Sequence, residues 1–499
     1  MTGLVLGLDQ GTSSTRCIAL GHDLHQHGAS ATAVEASFPA PGLVEQDPAE
    51  LVASAATAIT GALAAAQASP GDVVALGIAN QTETFIVSER GSGRPVYPAI
   101  VWQDRRTADR CAALAAAGHA ERVRSRTGLE LDATFPASKI GWLLDHVDGA
   151  RTAAERGELA YHDVAGWLVR HLSGVHVAEA GNAGRTLLCP LGGSDWDDGL
   201  LDLFGLPRAL FPPIVDSDAI PAASALVPAE SAPGAVALPE LPVMGVLGDQ
   251  QASLFGLGCR RPGTAKVTLG TGAFILAQAG STAPSPPPGV LASCAWRCGG
   301  QTSYALEGFI PAAGAALSWF ADVGVLPPAG QLDALLDAAG PEDGSVACVP
   351  ALQGLGTPTW DAATRGALLG LSRATTRAQV ARAVVDGVLH QVTDAIDAMR
   401  AAMPLEVVQL DGGMSRSEWI VQRLADVAGV RVQRAAIGEA TAIGAAMMAG
   451  LAAGFWSGPD QLPAVGVDRV AEPSWRPSER EARRERWSEA AALAARWRD

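Results

Sequence analysis

The chain is 499 residues long, with 36 basic and 52 acidic side chains, a formal net charge of −16, and lysine only at Lys139 and Lys266. Without a basic stripe outside the C-terminal tail, that balance argues against duplex nucleic acid and anionic membrane surfaces as partners. Apolar residues at 48% and charged ones at 18% are ordinary globular composition, and seven scattered cysteines with no C-x-x-C pair argue for a reduced, cytoplasmic protein without a zinc site or disulfide framework.

The first eight residues are too short and glycine-broken for a signal peptide, and no apolar run of membrane-spanning length is expected. Residues 4–8 form a short apolar run ending in Asp9; Gln10-Gly11-Thr12-Ser13-Ser14-Thr15 is turn-rich, and a second run covers 16–20. That pattern is a hairpin around a phosphate-sized turn, rather than the strand-to-helix step of a P-loop or dinucleotide fold. His22, His25 and His27 have metal-like spacing but read as a solvated turn. A helix from Asp47 to Gln67 is expected, with Asp47 as N-cap, Pro48 at the first helical position and Glu50 closing a capping box. Residues 73–78 read as a buried strand that delivers Asn80-Gln81-Thr82-Glu83-Thr84 at its end, where α/β sheets hold ligand residues. Residues 100–102 deliver Gln103-Asp104-Arg105-Arg106 in the same manner. Over 212–242 the composition turns to Pro, Ala and Ser, an exposed connection that places a boundary near residue 245.

The second half repeats the first: residues 266–269 run into Gly270-Thr271-Gly272 and out through 274–276, so two related halves present facing phosphate loops across a cleft. Val380, Val384, Val388, Val392, Ile396 and Met399 predict a long core helix over 375–402. A strand at 407–410 hands over Asp411-Gly412-Gly413, a helix covers the small-residue run 440–446, and the charged tail from Arg476 reads as a helix with a solvated face. The expected division is 1–246, 247–460 and a tail, 461–499.

Between the two loops stands Gly248-Asp249-Gln250-Gln251. Small hydroxyl residues and glycines let backbone N–H groups crowd a phosphate, and an isolated carboxylate between two such loops is where a hydroxyl nucleophile would lose its proton. The reading is phosphoryl transfer from a nucleotide, with Asp9 and Asp249 as carboxylates for Mg²⁺. The plainer readings are a turn cap for Asp249, a strand-end turn residue for Asp9, and core aromatics for Trp102 and Phe274.

Nine pieces occur in order: Asp9-Gln10-Gly11-Thr12, residues 99–107 (AIVWQDRRT), Asp195-Trp196-Asp197-Asp198, Gly248-Asp249-Gln250-Gln251, Gly270-Thr271-Gly272, Ala305-Leu306-Glu307-Gly308, residues 354–361 (GLGTPTWD), Arg365-Gly366-Ala367 and Asp411-Gly412-Gly413. Together they resemble the FGGY carbohydrate kinases, and within that family the glycerol kinases most. The resemblance implies an α/β, actin-like ATPase fold of two ribonuclease-H-like domains, with ATP, Mg²⁺ and a polyol or sugar in the cleft. It further implies that Asp249 is the general base and that Asp9 helps hold the metal. Thr12, Ser13, Ser14, Arg16, Gly270, Thr271 and Gly272 would meet the phosphates, and Gly314, Ser318, Gly413 and Ser417 would flank the adenosine. Thr82, Glu83, Trp102, Thr134, Gln250 and Phe274 would line the acceptor. A homodimer or homotetramer is implied as well.

The pattern departs where glycerol kinases carry Arg and Tyr, here Thr82 and Thr134, and where they carry Gln and Asn, here Ser318 and Ser417. Losing two polar partners of a small triol costs about 1–3 kcal/mol each if nothing replaces them. Glycerol and a longer C4–C5 polyol or ketose therefore both stand as acceptors. The alternative is a non-catalytic actin-like nucleotide-binding regulatory protein, which would call for a substituted base or a large peptide-binding insertion.

Overall fold

Five strands make the first sheet, in the order Val243–Gly248, Val73–Asn80, Leu4–Gln10, Ser14–Leu20, Gln26–Ala33, in a computed structural model that describes residues 3–220, 240–340, 346–436 and 438–497. The first three run parallel and the last two join as an antiparallel meander. The second sheet repeats this pattern: Arg431–Ala435, Val407–Asp411 and Thr264–Leu269 are parallel, and Ala273–Gly280 and Gln301–Ile310 follow antiparallel. Leu291–Cys298 and Val467–Ala471 extend its two edges. The duplication expected from the two glycine-hydroxyl turns is thus a duplication of whole sheets.

Side-chain alternation along residues 4–8 explains how the first sheet is covered. Leu4, Leu6 and Leu8 face the helix Pro48–Ala65 through Leu51, Ala55 and Ile59. Val5 points to the other layer, where Ala442, Ala445 and Ala446 lie. There the helix Ala440–Ala452 packs directly on strand backbone: a Cβ on Gly7 would sit 1.9 Å from the carbonyl oxygen of Ala442, and one on Gly77 1.9 Å from that of Ala445. A helix from the far half of the chain therefore closes the first sheet. The expected division at 246 and 247 falls inside the strand Val243–Gly248, which stays whole in that sheet.

The long helix Arg377–Arg400 begins with a Thr376–Gln379 capping box and buries Val384, Val388, Val392, Ile396 and Met399 in the second core. A smaller four-stranded sheet, Glu45–Gln46, Ala99–Ile100, Phe85–Glu89 and Leu159–Asp163, supports the loops that follow Asn80 and Ile100.

Three local expectations are corrected. Asp47 caps its helix by accepting from the Ala49 N–H at 2.8 Å, but Glu50 accepts from the Glu35 N–H at 3.0 Å instead of closing a capping box, because the incoming strand leaves that donor beside the first turn. The same helix, Pro48–Ala65, is 18 residues long with a mean hydropathy of 1.3, long and apolar enough to cross a membrane, and that apolarity is used as sheet cover. The C-terminal helix Pro477–Arg496 is not solvated all round. Trp487, Ala490 and Ala494 are buried, the Trp487 ring stacks on His390 at 5.3 Å, and its indole N–H donates to Asp394 at 2.8 Å. Its apolar stripe is too thin among Arg and Glu to stand out in sequence. Most of the expected 212–242 connection lies outside the described residues; Ile214–Val215 pairs with Ala178–Glu179.

Truncating Trp487 to Ala should cost about 3–5 kcal/mol through lost burial. Truncating Trp497, which is 76% exposed, should change stability by less than about 0.5 kcal/mol. Urea unfolding of both variants checks the difference.

Candidate active site

Parallel strands of the first sheet end together, Asp9 opposite Ala79 and Gly248 opposite Asn80, so their carboxyl ends deliver Asp9, residues 81–84 and Asp249 to one place. In the second sheet Thr268 pairs with Asp411, which brings the turn at 270–272 and the turn at 412–413 to the corresponding end. Ligand sites of α/β sheets form at such carboxyl ends.

Burial drives the acid chemistry there. The Asp9 carboxyl is pushed up to about 7 by burial and by the neighbouring Asp249 charge, with Arg16 pulling the other way. Asp249 opens the helix Asp249–Gly256 and is pushed up to about 6 by burial and by Glu83, against the Gln250 N–H at 2.7 Å and the charges of Lys266 and Arg185. Two half-buried carboxyls, each raised by a neighbouring carboxylate, are under-neutralised, and a hard divalent cation that takes one or two carboxylates plus phosphate and water oxygens fits this donor set.

Among the residues expected to line the acceptor, Glu83 sits at φ 63, a left-handed conformation that a non-glycine residue holds only when its surroundings impose it. Its carboxylate accepts from Arg185 Nε at 2.5 Å and from the Thr82 hydroxyl at 2.7 Å. The Thr134 hydroxyl donates to Asp132 at 2.6 Å, and Asp132 is gripped by Arg105 at 2.6 and 2.9 Å. Both threonine protons are therefore given to protein carboxylates. Trp102 donates its indole N–H to the Thr12 hydroxyl at 2.9 Å, joining the loop after Ile100 to the first glycine-hydroxyl turn. Phe274 packs on Phe309 at 4.9 Å. The Gln250 side-chain oxygen accepts from Lys266 Nζ at 2.6 Å.

Among the residues expected to meet the nucleotide, Ser13 and Ser14 are exposed on the first loop, and Arg16 is paired with Glu439. The second loop closes on itself through the Gly270 N–H to the Gly272 carbonyl at 3.0 Å. It is braced by the helix Gly314–Asp322: the Ala313 and Ala315 N–H groups donate to the Thr271 carbonyl at 3.0 Å, and a Cβ on Gly314 would stand 2.5 Å from the Gly270 carbonyl oxygen. Gly314 is thus a close-packing position against the second loop. Ser318 is exposed one turn further along that helix. A Cβ on Gly413 would meet open space among the described residues. The Ser417 hydroxyl caps the helix Glu418–Ala428 by accepting from the Ile420 N–H at 3.1 Å, and it donates to Asp333.

Sequence reasoning assigned no role to three charged groups here: Arg185, Glu307 and Lys266. Arg185 belongs to no motif, Glu307 lay within a quoted motif, and Lys266 is one of only two lysines, both fully buried. A lone lysine inside an apolar strand was the available signal, because a buried ammonium requires anionic or hydrogen-bonding company.

Fold and cleft define a nucleotide-dependent phosphotransferase of the actin-like class. The chain belongs to the FGGY family of carbohydrate kinases, whose N-terminal domain matches residues 4–256 and whose C-terminal domain matches residues 265–453. It is 43% identical over 499 residues to a glycerol kinase of Aromatoleum aromaticum, covering 99% of each chain. It is also 43% identical over 505 residues to one of Dechloromonas aromatica, covering 99% of this chain and 98% of that one. The solved glycerol kinase of Plasmodium falciparum with ADP matches with TM-score 0.90 at 25% identity, over 99% of this chain and 98% of that one. The xylulose kinase of Rhodospirillum rubrum matches at 0.85 and 25%, with the same coverage. The chain is accordingly a carbohydrate or polyol kinase.

Replacing Lys266 by Met removes a cation that lowers the Asp249 pKa. The Asp249 carboxyl should rise further, and the acid limb of the kcat/KM profile should move to higher pH, as a series of initial rates between pH 5 and pH 9 would show.

Proposed function

We propose that this chain transfers the γ-phosphoryl group of ATP to a terminal hydroxyl of glycerol. The observation that carries the proposal is Asp249: a carboxylate at the cleft with its pKa raised to about 6, ionised at neutral pH yet close enough to it to take a hydroxyl proton in the transition state. The full-length similarity to glycerol kinases supports the choice of acceptor.

The acceptor lies between Trp102 and Phe274, with its secondary hydroxyls on Glu83 and Gln250 and its terminal hydroxyl at Asp249. Thr12, Ser13, Ser14 and Arg16 face the transferred phosphoryl from one side, and Gly270, Thr271 and Gly272 from the other. Asp9, with Asp249, would hold Mg²⁺, which when bound neutralises phosphate oxygen charge. Gly314, Ser318, Gly413 and Ser417 flank the adenosine. Phosphoryl transfer asks mainly for alignment and charge neutralisation, and closing the cleft keeps water from competing with the acceptor. The net acidic charge and seven free cysteines agree with a cytoplasmic site of action.

One feature favours a longer acceptor. Thr82 and Thr134 are small, and both direct their protons to protein carboxylates. A C4–C5 polyol or ketose is therefore the second reading.

A coupled ADP-release assay with ATP-Mg²⁺ against glycerol, erythritol, xylitol, dihydroxyacetone and xylulose separates these readings. Glycerol should show the highest kcat/KM; a preference for a four- or five-carbon acceptor replaces it, and silence across the panel sinks the kinase proposal. Asp249→Asn should lower kcat by about 10²–10⁴-fold. Below the Asp249 pKa of about 6 the base is protonated, so kcat/KM should fall about tenfold per pH unit there.

A further inference from the structure

We infer that Arg185 is a positioning residue for the acceptor: it sets the Glu83 carboxylate in one sheet's loop against Glu307 on the other sheet, and so governs how tightly acceptor hydroxyls are held. This rests on the kinase reading above.

Arg185 directly follows the short helix Ala180–Gly184, and its guanidinium is 12% exposed between Glu83 and Glu307, which are 6% and 9% exposed. Its Nε donates to Glu83 Oε1 at 2.5 Å, one of its terminal nitrogens donates to Glu307 Oε2, and its plane lies 5.5 Å from the Phe135 ring centre. The two carboxylates are not equivalent. Glu307 accepts from three protein donors, Arg185 on one oxygen and Gln251 and Ser293 on the other, whereas Glu83 accepts from two, Arg185 on one oxygen and Thr82 on the other. It sits within the paired strand Gln301–Ile310, opposite Leu276 of the strand that carries Phe274. Glu83 has no strand to hold it; it follows the strand Val73–Asn80 in a left-handed conformation, fastened by Arg185 and Thr82.

Glu307 is thus the fixed post, Arg185 the strut, and Glu83 the group whose remaining lone pairs are aimed. A buried carboxylate with unfilled acceptor capacity is stabilised by O–H donors, and a polyol supplies them. The fork geometry of a guanidinium holds a carboxylate in one orientation, which a single ammonium does not.

The charges facing the group are mixed. Glu83 is faced by Arg185, Asp249 and Lys139; Asp249 by Asp9, Glu83, Lys266 and Arg185; Glu307 by Arg185 and Lys266. Removing Arg185 takes away the strut between Glu83 and Glu307 and leaves both glycine-hydroxyl loops in place, so acceptor affinity should fall apart from ATP affinity, which a general loss of packing would not produce.

Steady-state kinetics of the full-length chain and of R185Q, R185K and E307Q, with glycerol, erythritol and xylulose varied at saturating ATP and then ATP varied, test this. R185Q should raise the acceptor KM by about tenfold or more while the ATP KM stays within about twofold. R185K should recover part of this effect, and E307Q should raise the acceptor KM by about threefold. Unchanged acceptor KM in folded variants overturns the inference. So do acceptor and ATP KM rising together with a lowered melting temperature, the signature of a structural role. If R185Q does not fold, R185K and E307Q decide by the same criteria. Wild type that neither binds nor turns over any acceptor overturns the kinase reading and this inference with it, whereas active wild type with unaltered variants overturns the inference alone.

Discussion

Backbone-to-backbone contact between the first sheet and the helix Ala440–Ala452 is the constraint on which the rest depends. Gly7 and Gly77 leave no side chain between strand and helix, and the helix answers with alanines. The same economy continues outward, where a Cβ on Gly444 would stand 1.9 Å from the Ala252 carbonyl oxygen and one on Gly256 2.1 Å from that of Ala440. The helix Asp249–Gly256 is thereby seated on Ala440–Ala452, and its first residue is held at the carboxyl end of the sheet. Interiors are packed at crystal-like density, so a methyl group at any of these positions would displace an element and not merely a side chain. Because the helix comes from the far end of the chain, the two halves are laced together behind the cleft.

That rigid support lets the site hold an unfavourable arrangement of charge. Asp9, Glu83, Asp249 and Glu307 stand in the cleft with Arg185 and Lys266 as the nearest balancing cations. Each carboxylate taken from water is costly unless paired or hydrogen-bonded, and the raised values at Asp9 and Asp249 reflect that cost. Such a site gains most from ligands that bring O–H donors or positive charge to its carboxylates. Packing and burial meet at Asp249, whose backbone opens the seated helix and whose carboxyl is raised by burial.

The two lysines illustrate what a buried ammonium requires. Lys139 reaches the Val101 and Thr134 carbonyls at 3.2 and 2.9 Å, and its ammonium is pulled down to about 7 by burial. It thereby holds the loop that carries Thr134 against the loop that carries Trp102. Lys266 performs the corresponding task for Gln250. Neither is available to the surface, where the chain uses arginine almost alone.

What is local in this protein was legible in its sequence. The hairpin around Gly11, the strand ending at Asn80, the cap at Asp47, the valine ladder of Arg377–Arg400 and the ordered motifs through Asp411 each depend on neighbours within a few turns of chain, where turn chemistry and periodicity act. The kinase class was legible for the same reason, through the ordered short motifs that resemble the family. Only the tertiary structure decided that the strand before Asp249 belongs to the first sheet, that the C-terminal helix is docked by Trp487, that Glu50 serves Glu35, and that Arg185 spans Glu83 and Glu307. Most are contacts between distant parts of the chain, with Arg185 and Glu307 122 positions apart. Their partners are chosen by which groups burial brings together and leaves in need of a counter-charge, and no local pattern encodes that choice.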